Sequence, residues 1–302
     1  MIRFKRTEKY NTAFNTITPT NSYMKKIFLV LVTVSLFSFD RQHADDGFAF
    51  TTQLLPEKKY DQTIEQTSMA ELTYIASKEF LQKLKAKGIE NPTITNTNSV
   101  TESVVKTGQL NSDDRFPVTM EFVKTTSSDG KKTIPDGAIV YGHATTKTLP
   151  QFDSIVSDGL DAKMKSTILK TLESTFAQMA LPERKVKVGE SFSIKTPLAL
   201  PIAGMNVEMD ITTKYKLISV KNGMADFDIT QVYTMKLNYS KYEIKGKGTG
   251  DGKLVYDIEN SYNKKYSVNI DMTMGVKLDD FAIALKMKSG LIQAVVISPN
   301  KK

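Results

Sequence analysis

The feature that most constrains this chain is the stretch "VEMDITTKYKLISVKNGMADFDITQVYTMKL", residues 207–237, in which two runs of period two meet at Asn222-Gly223. Successive side chains of a β-strand point to opposite faces. Met205, Val207, Met209, Ile211, Tyr215 and Leu217 therefore share one side, and Asn206, Glu208, Asp210, Thr212, Lys214 and Lys216 the other. Beyond the turn, Phe227, Ile229, Tyr233, Met235, Leu237 and Tyr239 restore the apolar side. Asn-Gly favours the left-handed backbone of a tight hairpin, so the two runs are predicted to be neighbouring antiparallel strands.

The same period recurs through much of the chain. Strands are expected at 48–54, 60–68, within 91–108, at 116–122 and 137–144; from 185–194 onward the chain reads mainly as β, with further strands at 242–249, 253–259, 265–275, 280–288 and 291–298. Asp129-Gly130 supplies a turn before 137–144. Gly246, Gly248, Gly250 and Gly252 allow curvature or a turn, and equally a mobile rim.

Two segments change period. In "ASKEFLQKLKAKG", 76–88, Phe80, Leu81 and Leu84 share a helical side and Gly88 supplies a stop. In 158–182, Met164, Ile168, Leu172 and Phe176 recur every fourth residue, with Leu169 and Met179 widening the stripe before Pro182. The expected fold is α+β, predominantly antiparallel β: a curved sheet or incomplete barrel with covering helices.

Near the amino terminus, "MKKIFLVLVTVSLFSF", 24–39, places Lys25 and Lys26 before an apolar run, the arrangement of a signal peptide. The run is shorter than the roughly 20 residues of a membrane helix. Residues 1–23 then read as an upstream extension, 24–44 as the signal and its cleavage region, and 45–302 as a single large β-rich domain. Residues 1–39 carry six Lys or Arg and one Glu, so +3 of the formal +8 remains for 40–302, which does not point to a nucleic-acid partner. The chain has no cysteine, which excludes disulfides, thiolate metal sites, a cysteine nucleophile and an amino-terminal lipoprotein anchor.

No catalytic or metal constellation emerges. His43 and His143 are distant and establish no ligand set, and His143 is expected as a strand or rim residue. "GESFS", 189–193, lacks the nucleophile elbow. "GKGTGDG", 246–252, lacks the helix that follows a phosphate-binding loop. No cofactor, metal or catalytic residue is expected, and an enzyme is the less favoured class.

The remaining lead is the mixture of Met and Tyr on the apolar sides. Met fills irregular apolar space and Tyr joins a broad ring to a polar tip, which suits either an ordinary core or a cavity for a hydrophobic ligand. The run of strands, the glycine stretch and the central amphipathic helix resemble the LolA-like and LppX-like exported proteins. That resemblance implies an unclosed antiparallel barrel holding acyl chains or other apolar ligands. "LPERKVKVGESFSI", 181–194, with "GTGDGKLVYDIENSYNKKYSVNIDMTM", 248–274, also resembles exported Bacteroidetes-type proteins of uncharacterised function.

The leading expectation is noncatalytic binding or transport of a lipid-like or other hydrophobic molecule in the periplasm or outside the cell, with no stable transmembrane insertion after signal removal. Phe176, Tyr215, Met235, Met272 and Met287 are the expected ligand-lining residues. The alternative is a cell-envelope scaffold with a protein or glycan partner.

Overall fold

A computed structural model of the chain describes residues 47–49, 53–130, 132, 134–148, 150–177, 185–202, 205–239, 242–277 and 280–301. The side chains of 49, 171, 174–177, 198–202, 205–207, 236–239, 242 and 243 lie outside that description. The expected signal segment, 24–44, also lies outside the described residues.

Period-two alternation produces long strands with one apolar face, and these assemble into one open, curved, 11-stranded antiparallel sheet. In chain order the strands are β1 (Phe48–Ala49), β2 (Lys58–Ile75), β3 (Thr93–Thr107), β4 (Arg115–Ser127), β5 (Ala138–Thr145), β6 (Gln151–Val156), β7 (Lys185–Val186), β8 (Ser191–Ile202), β9 (Met205–Lys221), β10 (Met224–Tyr239), β11 (Tyr242–Asp257), β12 (Tyr262–Lys277) and β13 (Ala282–Pro299). Among the described residues two helices accompany them, α1 (Lys78–Ala86) and α2 (Ala162–Ala177). The sheet order is β6-β5-β4-β3-β2-β13-β12-β11-β10-β9-β8, and β1 pairs separately with β7.

This order contains two meanders, β2–β6 and β8–β13, joined along β2 and β13 by a register running from Lys58↔Pro299 to Ile75↔Ala282. The segment carrying α2 takes the chain from one edge, β6, to the other, β8. Ile168 and Leu172 of α2 are buried in the main apolar cluster, with Leu169 packed against it, whereas Met164 of the expected stripe is 39% exposed. Helix α1 begins at Ser77, whose hydroxyl accepts the Phe80 amide at 3.3 Å. It ends at Gly88, with φ +71°, and the Ile89 amide closes the turn on the Leu84 carbonyl at 3.0 Å.

The hairpin at the opening motif has both central residues left-handed, Asn222 at φ 52° and Gly223 at φ 75°. Three expectations change. The first strand is only Phe48–Ala49 within the described residues, and β2 extends seven residues beyond Ser68, to Ile75. The expected pairs 242–249 with 253–259, and 280–288 with 291–298, are each one continuous strand, β11 and β13. Glycine interrupts the apolar pattern there without reversing the chain, because Gly246, Gly248, Gly250, Gly252 and Gly290 lack the positive φ of a turn.

The four β11 glycines occupy alternate positions on the sheet face that carries the core, here called the inner face. A Cβ on Gly248 would sit 2.7 Å from the Asp271 carbonyl oxygen, and one on Gly252 would collide with that of Ser267. The bare stripe therefore admits the close approach of β12. Gly252→Ala is expected to destabilise the protein by about 1–3 kcal/mol through overpacking, measured as a lower urea midpoint. Gly275→Ala, where an added Cβ meets nothing within 4 Å, is the matched control and should change the midpoint little.

Candidate ligand-binding face

Cross-strand register lays the inner face out in rows. Ala70, Met287, Met272, Gly248, Tyr233 and Ile211 form one row across β2, β13, β12, β11, β10 and β9. Leu72, Leu285, Met274, Gly246, Met235 and Met209 form the next. Met209, Ile211, Tyr233, Met235, Ile244 and Met272 compose a buried cluster of their own, distinct from the larger core around α2. Ile270, Met274, Val276 and Met287 pack against it while only partly buried.

Burial relaxes across the rows. Met209 is 1% exposed and Met235 4%, whereas Met274 and Met287 on the β13 side, with Leu285, Ile283, Leu72 and Tyr74, are half-buried. The half-exposed end is bordered by aromatic side chains. Phe80 of α1 stacks on Phe281 at 4.9 Å between centroids, and Tyr74 lies 6.3 Å from Phe281. Asn91 holds the end of β2 in place, accepting the Tyr74 amide at 2.7 Å and donating to the Tyr74 carbonyl at 2.9 Å.

A polar belt bounds the methionine cluster on its other side. Gln231 Nε2 donates to Thr213 Oγ1 at 3.1 Å and approaches the Tyr266 hydroxyl at 3.4 Å, while the Tyr233 hydroxyl donates to Gln231 Oε1 at 2.6 Å. Gln231 and Tyr266 belong to strands on either side of β11, and Gln231 lies opposite Gly250. A Cβ at Gly250 would sit 3.1 Å from Gln231 Oε1, so the glycine leaves room for the amide to lie across its strand. The belt matters because it sets a satisfied buried hydrogen-bond network between the two clusters, which otherwise meet through Ile270, packed against both.

Of the five expected lining residues, the structure brings Met235, Met272 and Met287 together, with Met272 and Met287 direct cross-strand partners. Tyr215 sits in the larger core, stacked on Phe192 at 5.1 Å, on the far side of the belt. Phe176 lies in α2, and its side chain is outside the described residues. Sequence reasoning passed over Thr213 and Gln231, although both interrupt an otherwise apolar side and face each other in register.

His143 is on the outer face of β5, its Nδ1 3.1 Å from Asp153 Oδ2 and its Nε2 3.1 Å from Gln151 Oε1. Among the described residues there is no group of three or more His, Asp or Glu arranged to hold a metal, and no helix long and apolar enough to cross a membrane.

No family model matches this chain, and no curated protein matches it. Among solved structures it is similar to lipovitellin, described for its lipid–protein interactions, at 10% identity and TM-score 0.38 over 83% of this chain. The chain spans about a quarter, 26%, of that protein's length. It is also similar to a mutant Rh. blastica porin, at 8% identity and TM-score 0.24 over 78% of this chain and 99% of the porin. Overlaps of this quality carry no functional inference.

The buried tyrosines make the integrity of this face dependent on pH. Burial pushes the hydroxyl of Tyr60 up to about 12 from 10.0 and raises those of Tyr215, Tyr233 and Tyr262 as well. Each raised value favours the neutral side chain in the fold. The resulting stability is fully present below the unfolded value near 10 and is lost as pH rises through the folded values. Urea stability is therefore expected to fall as pH rises from about 10 toward about 12, with tyrosinate absorbance appearing together with unfolding. Free titration of these tyrosines near pH 10 in an intact fold would contradict their burial.

Proposed function

We propose that this protein binds or carries a lipid-like or other hydrophobic molecule without catalysis, using the methionine-rich end of the inner face. The observation that carries this reading is the gradient from buried Met209 and Met235 to half-exposed Met274, Met287 and Leu285, beyond the belt that closes off the main core. Unbranched, polarisable methionine side chains can repack around apolar shapes of different outline, and affinity accumulates from many small contacts. The signal-like segment 24–39, two lysines before an apolar run, supports an exported, periplasmic or secreted location for that activity.

The scaffold reading has less support. It calls for aromatic side chains displayed on a rigid outer surface, and among the described residues only Tyr141, at 42%, is an aromatic of high exposure.

Native mass spectrometry of gently purified protein, followed by solvent extraction, should release a reproducible apolar molecule. After its removal, the protein should bind Nile red. Met287→Glu places a carboxylate on the half-exposed end and is expected to weaken dye binding about tenfold or more, since a buried methionine contributes about 1.5–3 kcal/mol. Tyr215→Phe, across the belt, should leave dye binding within about twofold. A protein that yields no apolar molecule and binds no dye is not a carrier of this kind.

A further inference from the structure

The carrier reading leaves open what chemistry the ligand's polar end has, and the inner face restricts it. Along the described ladders of the 11-stranded sheet, the one Asp, Glu, Lys or Arg in register on the inner face is Lys58, opposite Pro299 at the end of β2 remote from the methionine rows, where its Nζ donates to Asn260 Oδ1 at 3.3 Å. The charged residues that flank the methionine rows stand on the outer face. Lys286 pairs there with Glu71 at 3.0 Å, Lys195 with Asp210 at 2.9 Å, and Lys288 lies 3.8 Å from Asp271.

Polarity on the rest of the inner face is supplied by neutral groups, and they are grouped. Beside the methionine rows, β3 presents Thr93, Thr95, Thr97, Ser99, Thr101 and Ser103, a column of six hydroxyls at successive inward positions. Thr93 and Thr95 are in register with Leu72 and Ala70, so hydroxyls directly border the apolar rows. Thr93, Thr95 and Thr97 are half-buried, which leaves them within reach of a molecule lying on this face.

We infer that the ligand is an uncharged lipid, a long apolar body bearing hydroxyl, ester or ketone oxygens, and that the β3 hydroxyl column receives those oxygens. This rests on the carrier reading above. An ionic headgroup drawn onto the methionine-rich end of the face would lose its hydration and meet no opposite charge there, a cost that neutral hydrogen bonds do not offset. Ester and hydroxyl oxygens give up far less hydration and are matched by threonine hydroxyls, which both donate and accept.

The test uses the delipidated full chain loaded with Nile red and displaced by dioleoylglycerol or by dioleoyl phosphatidic acid, which share acyl chains and differ in charge. Dioleoylglycerol is expected to displace the dye at least about tenfold more effectively. Thr95→Val keeps the shape and removes one hydroxyl; it should weaken dioleoylglycerol about fivefold while leaving Nile red binding unchanged. Thr95→Lys should improve phosphatidic acid at least about tenfold relative to dioleoylglycerol.

Equal or better displacement by phosphatidic acid with the native chain overturns the inference and leaves the carrier reading intact, as does a Thr95→Val protein indistinguishable from native. Failure of the native chain to bind Nile red and either lipid overturns both.

Discussion

The structure depends on the pairing of β2 with β13. Each of the two meanders can form from local hairpins, but alone each exposes the edge and inner face of a half-sheet. The Lys58↔Pro299 to Ile75↔Ala282 register brings together segments more than two hundred residues apart and makes one surface of eleven strands. Closing so long a loop carries an entropic cost that rises only slowly with length, while the joined sheet buries apolar side chains from both halves in one cluster. Tyr60 of β2, at 0% exposure and 4.5 Å from the Tyr262 ring of β12, shows the two halves packed together at this seam.

On that surface the β11 glycines decide what the neighbouring strands can do. Without side chains at 246, 248, 250 and 252, groups from β10 and β12 close over the stripe: Met235 beside Gly246, Met272 beside Gly248, Gln231 beside Gly250. The Gln231 network then divides one apolar face into two regions, one filled with the aid of α2 and one rich in methionine that opens toward β13 and β2. On the carrier reading proposed above, this division lets one end of the sheet serve as core while the other receives the ligand.

Much of the fold was legible because alternation and turn chemistry are local. The hairpin at Asn222-Gly223, helix α1 with its Gly88 stop, and the antiparallel character of β8–β13 all follow from residues close in sequence. Strand ends were less legible where glycine was involved, since the same residue suits a turn and a crowded extended strand; only the proximity of the Ser267 and Asp271 carbonyls distinguishes them. In the candidate site, Met235, Met272 and Met287 could be grouped by parity, but parity does not report position along the strand. Tyr215 has the same facing as Met209 and yet belongs to the other cluster. Thr213 and Gln231 did leave a signal: they break the apolar pattern at nearly equal distances from the turn, with the bulge at Asp226/Phe227 accounting for the offset.

The sequence by itself determined which side of each strand would be apolar, because facing depends only on the two-residue repeat of extended backbone. Only the tertiary structure decided which inward residues meet, since register between distant strands is selected by the joint burial of the whole face and by close approaches such as that over β11. The division between filled core and methionine-rich face therefore belongs to the assembled sheet, where Gln231 reaches across a strand that offers it no side chain.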